Sequence, residues 1–467
     1  MKRVSIVREF SLKLVSASKQ QPLFVQIYGY FKDEILQGKL SDGDFLPSIR
    51  SCAASLHVSK NTVELAYQLL VSEGYAISLP KKGYEIIGRT SSSPSCIALS
   101  DDKNANAGPA GIDFRYGNIE LAAFPFAQWN KVRNAIIAEH QSNYPVDGDS
   151  QGEYILRREL SRLLFESRGV ISTPEQILIG ATPQQLVSLL CQLLDSASYR
   201  IGVENPGYDG ARNTFLNLGF QVHPISLTPD GVSMEILEAS GANIMYVSPS
   251  QQFMNKMSMS PEKRKQLVSW VDSNRYIIED DYEWEYKYDE GYLPSIQSLR
   301  PEKVIYLGRI SRTLLPVTNI SYMVLPNELL SRFHRNIPEY DQPVPRIDQL
   351  TFSRYLSDGY WYKHLKKQRK QYEMKRSFFN EAAVRYMGEF VDIQCKDSGL
   401  HAFLTLRTEK TESELIELGL QRGVKVYGTD RYWVNRNGKH PTVLLGYGAL
   451  TFDQISQGII TLAEAWA

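Results

Sequence analysis

The stretch Leu46-Pro-Ser-Ile-Arg-Ser-Cys-Ala-Ala-Ser-Leu-His-Val-Ser-Lys-Asn-Thr-Val63 decides the fold of the first part of the chain. Ser48 is suited to cap a helix of about two to three turns that ends before His57, because a serine hydroxyl accepts a backbone N–H at a helix start. Ser59 is suited in the same way to cap a second helix over residues 60–73. The stretch therefore predicts two helices joined by a short turn.

A further helix precedes this pair, because apolar residues recur at helical spacing between Leu23 and a stop signal at Gly38. After the pair, residues 75–87 read as two short strands around a Pro-Lys-Lys-Gly turn, which would form a basic wing. Three helices followed by a wing predict a winged helix-turn-helix, which binds DNA. The apolar residues at helical spacing are Phe24, Ile27, Phe31, Ile35, Val63, Ala66 or Tyr67, and Leu70.

Polar side chains stand where such a fold meets DNA. The first turn of a recognition helix enters the major groove, so Asn61 could read an adenine edge there. Ser48, Arg50 and the wing lysines would more naturally contact phosphates, which set register without reading sequence. Alternatively, these residues are only a capped, solvated helix start and a polar turn. The candidate DNA-binding residues are Ser48, Arg50, Ser59, Lys60, Asn61, Thr62, Lys81 and Lys82.

Residues 22–87 resemble the winged helix-turn-helix of GntR-type regulators. The resemblance is carried, in order, by Leu-Pro-Ser-Ile-Arg, Val-Ser-Lys-Asn-Thr-Val, Glu-Gly-Tyr and Lys-Lys-Gly-Tyr. The sequence departs from the family at His57, where glycine is usual, but histidine tolerates a positive φ better than most residues. We place this domain at residues 20–88, followed by a linker of small and polar residues at 89–111.

The composition describes a globular chain of two or three domains, with 467 residues, 43% of them hydrophobic and 22% charged. Acidic and basic residues number 52 each, so any basic surface that attracts nucleic acid must be local. The four cysteines show no CxxC spacing, which argues against a zinc site or a disulfide framework. The sequence has no signal-peptide core and no apolar run of about eighteen residues, so we expect a cytoplasmic protein that does not span a membrane.

After the linker, short apolar runs alternate with helical patterns as far as about residue 360. Runs that are apolar on both faces suit a buried, mainly parallel sheet with helices on both faces. Beyond residue 360 the pattern changes to a long charged helix, alternating strands at residues 401–406 and 443–447, and a closing helix at 452–466. The predicted fold class is multidomain α/β with a smaller α+β subdomain at the C-terminus. The apolar runs are residues 177–179, 200–203, 244–247, 276–278, 304–307 and 322–325.

Residues 112–467 resemble a fold-type I aminotransferase, as found fused behind a GntR module in MocR-like regulators. Matching phrases include Glu204-Asn-Pro-Gly-Tyr208, Ile278-Glu-Asp-Asp-Tyr282 and Tyr322-Met-Val-Leu-Pro326. The resemblance implies pyridoxal phosphate (PLP) as a cofactor held by a lysine as an imine. In the run Gly308-Arg-Ile-Ser-Arg312-Thr-Leu-Leu-Pro316, Arg312 stands in the lysine position. A guanidinium stays protonated and cannot form that imine, so we expect neither covalent cofactor binding nor transaminase activity.

Three further segments depart from the family where it holds the cofactor. The arginine that usually meets the phosphate is Asn319, and losing one charge-assisted hydrogen bond costs about 1.5 to 3 kcal/mol. The phosphate-cradle turn, usually Gly-Ser-Gln-Gln, is Thr182-Pro-Gln-Gln185, in which Pro183 has no N–H to donate. A second loop, usually Ser-His-Gln-Phe-Pro-Thr-Gly, is Ser250-Gln-Gln-Phe-Met-Asn-Lys256.

The positions that still match the family imply a remaining pocket. Asp280 would face a ring nitrogen, Tyr282 a phenolic oxygen and Tyr208 the face of a ring. The fork of Arg312 could hold a carboxylate or phosphate, so we expect a small anionic effector in the old cofactor cleft. Equally, Arg312 could pair with Asp280 or another acid and close the site. The candidate pocket residues are Gln184, Tyr208, Asp280, Tyr282, Ser311, Arg312 and Asn319.

The sequence as a whole predicts a transcription regulator that binds double-stranded operator DNA and senses a small molecule. A homodimer is expected, because helix-turn-helix modules usually read paired half-sites and the resemblance implies clefts completed by a second subunit. The linker is long enough for a domain-swapped arrangement. One alternative is a MocR-like regulator or aminotransferase that binds PLP without the usual lysine. Another is an architectural DNA-binding dimer with a closed pocket. No metal is expected.

Overall fold

The chain divides into two compact units, residues 1–108 and 109–467. The computed structural model describes residues 22–80, 82–87, 111–120, 124–139, 148–254, 256–286, 293–310, 314, 318–336, 340–395, 399–435 and 440–467. Lys81, Ser311, Arg312 and all of the predicted linker except Gly111 lie outside these ranges. Among the described helices, none is long and apolar enough to cross a bilayer.

The first unit has the predicted order of three helices and a strand pair. The elements are α1 Leu23–Leu36, α2 Ile49–Leu56, α3 Lys60–Ser72, β1 Ala76–Leu79 and β2 Gly83–Ile86. Ser48 and Ser59 cap α2 and α3 as predicted, each accepting at 3.1 Å the backbone N–H three residues later. His57 ends α2 in the left-handed conformation, with φ 55°. Antiparallel pairing of β1 with β2 forms the wing.

Tyr67 of α3 joins all parts of the first unit. Its ring contacts Phe31 of α1 and Tyr84 of β2 edge-on, at centroid distances of 5.7 and 5.1 Å. Its hydroxyl donates to the carbonyl oxygen of Pro47 at 2.9 Å, just before α2. The start of α3 is therefore held in a fixed position against α1, α2 and the wing. The residues of the predicted stripe that are fully buried are Ile27, Phe31, Val63, Ala66, Tyr67 and Leu70.

The second unit opens with a short strand, β3 Ile112–Asp113, and contains a large sheet. The strands of that sheet are β4 Ile177–Gly180, β5 Arg200–Asn205, β6 Gln221–Thr228, β7 Gly231–Val232, β8 Ile244–Val247, β9 Tyr276–Asp280, β10 Val304–Arg309 and β11 Ser321–Val324. They lie in the order β4-β11-β10-β9-β8-β5-β6-β7. The neighbours from β10 to β6 are parallel, and the edge pairs are antiparallel. Five of the six predicted apolar runs lie wholly in this sheet, the sixth extends one residue beyond β11, and the prediction of a mainly parallel sheet is confirmed.

Helices cover both faces of this sheet, as predicted. They are α4 Phe126–Glu139, α5 Tyr154–Arg168, α6 Pro183–Leu193, α7 Asp209–Asn217, α8 Met234–Ala239, α9 Pro261–Trp270, α10 Asn327–Asn336, α11 Arg346–Ser357 and α12 Tyr360–Met387. Side-chain alternation along β10 separates the faces: Ile305 and Leu307 join a core with α6, α7 and α10, whereas Tyr306 joins a core with α4, α5 and α11. A further core packs α8 and α9 against β8 and β9.

The C-terminal subdomain begins with α12, whose first residue is the predicted boundary at 360. It continues with β12 Val391–Gln394, β13 His401–Leu406, α13 Glu412–Gln421, β14 Val424–Lys425, β15 Tyr427–Gly428, β16 Thr442–Gly446 and α14 Phe452–Trp466. An antiparallel sheet in the order β12-β13-β16-β15 packs against α12, α13 and α14. The limits of β13 and α14 agree with the prediction, and β16 begins and ends one residue earlier than predicted. The predicted α+β subdomain is therefore confirmed.

Candidate DNA-binding surface and ligand cleft

The first turn of α3 presents polar side chains to solvent. Ser59, Lys60 and Asn61 are exposed, and Thr62 is half-buried. The hydroxyls of Ser59 and Thr62 lie 2.8 Å apart, and Ser59 Oγ also caps the helix. Ser59 and Thr62 therefore shape the helix start, while Lys60 and Asn61 are the side chains placed to reach a nucleic acid.

A groove of about 1200 Å³ separates the start of α2 from the wing. Ser48 and Arg50 line one side, and Lys82 and Tyr84 line the other. The exposed Arg50 and Lys82 face the same groove, so both could meet one strand of phosphates. Glu85 also lines the groove and limits its positive charge. Lys81 lies outside the described residues.

In the second unit, the carboxyl ends of the parallel strands form the crevice where α/β folds bind ligands. A small cavity of about 40 Å³ lies there. It brings together three of the predicted pocket residues, Tyr208, Asp280 and Tyr282. The other described residues that line it are Tyr116, Pro183, Phe253, Glu283 and Arg309.

Asp280 is the last residue of β9, and a side chain of the neighbouring strand β8 holds its carboxylate. The hydroxyl of Tyr246 donates a hydrogen bond to Asp280 Oδ2 inside the protein. Burial raises the pKa of nearby Glu204 to about 8, and the charge of Asp280 adds to that rise against a hydrogen bond from the backbone of Ser248. At neutral pH Glu204 is therefore mostly protonated.

Tyr282 carries a polar atom suited to a ligand. Its hydroxyl is buried and, within the described part of the chain, has no hydrogen-bond partner. Burial raises the pKa of Tyr282 well above its usual value, so the hydroxyl keeps its proton. Buried hydroxyls are normally hydrogen-bonded, so this one is available to donate to a molecule in the cavity.

In and beside the phosphate-cradle turn, two backbone donors are bonded within the protein. Thr182 Oγ1 accepts the N–H of Gln185 at 3.2 Å, and Gln185 Oε1 accepts the N–H of Ala181 at 3.3 Å. Pro183 begins α6 and has no N–H. Gln184 is exposed and does not appear among the described residues that line the cavity.

The predicted pocket therefore comes together only in part. Asn319 is exposed, with φ 39°, and like Gln184 does not line the cavity among the described residues. Ser311 and Arg312 lie outside the described residues. Asp280 and Tyr282 both line the cavity, but 40 Å³ is far below the roughly 300 to 1,000 Å³ of ordinary ligand pockets. The described residues do not fit the whole phosphorylated cofactor.

A buried network supports the end of β9. Arg168, the last residue of α5, donates from Nε to Asp281 Oδ2 at 2.6 Å and from Nη2 to Ser250 Oγ at 2.6 Å. Tyr306 donates to the same carboxylate oxygen at 2.7 Å. The network fixes the residue next to Asp280 and the start of the loop that carries Phe253. Neither Arg168 nor this network was identified from the sequence.

A second buried cluster was also missed from the sequence. It contains Lys256, whose Nζ lies 3.0 Å from Nδ1 of His401, together with Glu283. The sequence signal was a lysine at the position where the family loop has glycine. Its partners could not be identified, because His401 lies 145 residues further along the chain. Among the described residues, no group of three or more His, Cys, Asp or Glu is arranged to hold a metal ion.

Known proteins match the first unit by itself and nearly the whole chain. Residues 23–86 match the family model of bacterial regulatory proteins, gntR family. The chain is 36% identical over 455 residues to "Uncharacterized HTH-type transcriptional regulator YdeL" of Bacillus subtilis (strain 168), covering 95% of this chain and 97% of that protein. It is 28% identical over 466 residues to "Probable rhizopine catabolism regulatory protein MocR" of Rhizobium meliloti, covering 95% and 94%.

Solved structures match the second unit. The crystal structure of multiple substrate aminotransferase from Thermococcus profundus superposes with a TM-score of 0.69 at 23% identity, covering 76% of this chain and 91% of that one. At this level of identity the match establishes an aminotransferase-like fold only.

Proposed function

Since the chain belongs to the family of HTH-type transcriptional regulators that join a GntR-type domain to an aminotransferase-like domain, we propose that its second unit senses a small ligand and controls operator binding by the first. The chain is a DNA-binding transcription regulator. We propose that it acts as a homodimer, because helix-turn-helix modules usually read paired half-sites. A swapped arrangement, in which the linker carries each first unit across to its partner, is part of the proposal.

The observation that carries this function is the capped start of α3. Ser59 holds the first turn, and the exposed Lys60 and Asn61 project from it. Asn61 is proposed to read an adenine edge, whereas Arg50 and Lys82 are proposed to contact phosphates. A base-reading and a phosphate-binding residue give different results on substitution, which makes the proposal testable.

The experiment is fluorescence anisotropy of the full chain with duplexes that the wild-type protein selects from a random pool. Asn61→Ala should weaken binding to the selected site by about 1 to 3 kcal/mol and relax the preference at one base pair. Lys82→Ala should weaken binding to all sequences alike and make it less salt-dependent. Gln68→Ala, exposed further along α3, is the matched control and should leave affinity unchanged. Equal effects of Asn61→Ala and Gln68→Ala would contradict the proposed contact.

The proposed effector site is the cleft of the second unit. In the sequence interpretation Arg312 replaces the imine-forming lysine and contributes a guanidinium for an anionic ligand, so no transaminase activity is proposed. Arg309, which lines the cavity, is a second guanidinium near the same strand end. An Arg312→Ala variant that keeps the full ligand-dependent change in operator binding would contradict the anion-binding role.

A second candidate is a regulator that binds PLP without a covalent bond, which requires the cavity to be wider than the 40 Å³ that the described residues enclose. The available Tyr282 hydroxyl and the Asp280 carboxylate favour it, because both match contacts to a hydroxypyridine ring. The test is thermal melting of the full chain with PLP, for the wild type and for Asp280→Asn. A rise in melting temperature that requires Asp280 would support this candidate, and no rise would reject it.

A further inference from the structure

Four buried polar side chains meet next to the cavity, which Glu283 lines, and we name them the Lys256 cluster: Lys256, His401, Glu283 and Gln251. We propose that this cluster makes Lys256 an amine that captures a small aldehyde ligand as an imine. The inference gives a ligand class for the effector site and rests on the proposed function of that site. It concerns a lysine distinct from the position of Arg312.

The first support is the order of functional groups. Nζ of Lys256 lies 3.0 Å from Nδ1 of His401. Nδ1 of His401 lies 3.7 Å from Glu283 Oε2. All three side chains are buried, at 4% exposure or less. A nucleophile beside a base is a usual arrangement for covalent catalysis, and the Glu283 carboxylate lies on the same side of the imidazole as the amine. The imidazole can take a proton from the ammonium, and the carboxylate stabilises the imidazolium that results.

The second support is a point on which the cluster converges. A Cβ added to Gly399 would lie 2.7 Å from Glu283 Oε2, 3.0 Å from Lys256 Nζ and 3.1 Å from Gln251 Nε2. Three polar ends from separate parts of the chain therefore face one place in the interior. Gly399 has φ +82° and no side chain, so the three polar ends can approach its backbone closely.

The third support is the position of the cluster beside the cavity. Glu283 lines the cavity, as does Tyr116, whose ring centroid lies 4.2 Å from that of His401. The amine therefore sits directly behind two residues of the cavity wall, on a flexible four-carbon stem. One water needs about 10 to 15 Å³ of such space, so 40 Å³ admits a molecule of only a few non-hydrogen atoms.

The fourth support is the backbone of Lys256. Its φ is +53°, a left-handed conformation that is unfavourable for a residue with a Cβ relative to glycine. Lysine is also among the residues least often buried. Strained non-glycine positions concentrate at functional sites, so the observed outlier points to a role for this side chain.

The reaction balances with the aldehyde as the only co-reactant. The ammonium of Lys256 gives a proton to His401, and the amine lone pair forms a bond to the carbonyl carbon. The π electrons of the C=O bond move to oxygen, which takes the proton back from His401. The nitrogen then loses its second proton to His401, and that proton leaves with the hydroxyl group as water. As the C–O bond breaks, the nitrogen lone pair forms the C=N bond, so the products are one protonated imine and one water, with His401 regenerated.

The experiment is reductive trapping on the full wild-type chain. The protein is incubated with limiting acetaldehyde and sodium cyanoborohydride, digested, and each lysine is assayed by mass spectrometry for an added ethyl group. We expect Lys256 to be labelled at least about tenfold faster than Lys265, which is exposed on α9. This margin lies below the hundredfold or more that a positioned base usually contributes. Labelling of Lys265 and other surface lysines with Lys256 unmodified would overturn the proposal.

Two variants separate reactivity from burial. His401→Gln should slow the labelling of Lys256 and remove its dependence on imidazole titration, so the pH profile of the labelling rate should flatten. Lys256→Gly, which suits the left-handed backbone, should lose that label while Lys265 keeps its own rate. An unchanged pH profile in His401→Gln would also overturn the proposal. Operator binding by the same wild-type preparation is measured separately, so failure of the proposed function and failure of the imine are distinguishable.

Discussion

Replacing Arg168 by methionine should unfold the second unit more easily, because it breaks a buried ion pair. Arg168 and Asp281 are 5% and 1% exposed, and Nε lies 2.6 Å from Oδ2. The other two guanidinium nitrogens donate to Leu293 O at 2.9 Å and to Ser250 Oγ at 2.6 Å. Methionine fills similar space without these donors and leaves Asp281 with the hydroxyl of Tyr306. Removing one partner of a buried pair costs about 3 to 5 kcal/mol, so the free energy of unfolding should fall by that amount.

The assay is urea unfolding followed by tryptophan fluorescence. All six tryptophans lie at or beyond residue 129, so the signal reports on the second unit alone. The matched control is Arg162→Met on the same helix. Arg162 is 70% exposed on its side chain and pairs with Glu166 one turn away, so its loss should leave the midpoint nearly unchanged.

A double variant tests the cause. Arg168→Met combined with Asp281→Asn removes the charge left behind, so it should be more stable than Arg168→Met alone. If Arg168→Met and Arg162→Met shift the midpoint equally, or if the double variant loses stability additively, the ion pair is not what holds the end of β9.

Three further predictions concern other parts of the chain. Ser59→Ala removes the N-cap of α3 and should weaken the hydrogen-exchange protection of the first-turn amides by about 0.5 to 2 kcal/mol. Ser55→Ala, at an exposed position on α2, should leave that protection unchanged. Equal protection in the two variants would contradict the capping role. Glu204 is protonated in the folded state up to a pKa of about 8 against an ordinary value of 4.5, so the stability that it contributes is complete below pH 4.5 and falls as pH rises to about 8. Urea midpoints measured across that window should fall less in Glu204→Gln than in the wild type, and parallel curves would refute this. Gly399→Ala places a Cβ at a positive φ and against the Lys256 cluster, so it should lower the free energy of unfolding more than Gly359→Ala does. Gly359 has φ +74° and no atom of the described residues within 4 Å of the added Cβ. Equal urea midpoints for the two variants would show that the cluster moves aside without a loss of stability.

The fold could be predicted largely because local signals agreed with one another. Ser48 and Ser59 are caps that fix two helix starts, and the apolar runs of the large sheet are long enough to be read without tertiary information. The strand β6, Gln221–Thr228, escaped prediction because it is only partly buried and carries no continuous apolar run. The limits of β16 differed by one residue because pairing with β13 sets them, and that partner is distant in sequence.

The candidate site could be predicted only where it lies at strand ends. Asp280 and Tyr282 follow a buried strand, and Tyr208 follows β5, so their convergence comes from the sheet itself. Gln184 and Asn319 were placed in the pocket by resemblance alone, and both side chains are exposed. Propensity and periodicity do not report which way a side chain at a helix start or loop will point.

One end of the cleft has lost groups that bind a phosphate, whereas the other end has gained buried charged groups. This difference favours a site for a new ligand over a closed site without function. At the phosphate end, Thr182, Pro183 and Gln185 satisfy or remove the donors that an anion would need. At the other end, Lys256 and Glu283 both hold strained left-handed backbones and bury charged groups beside the cavity. A site that had merely lost its function would be expected to relax toward apolar packing, because buried charges cost more than hydrophobic side chains of similar volume. Reductive trapping tests whether the buried charged groups around Lys256 serve to form an imine.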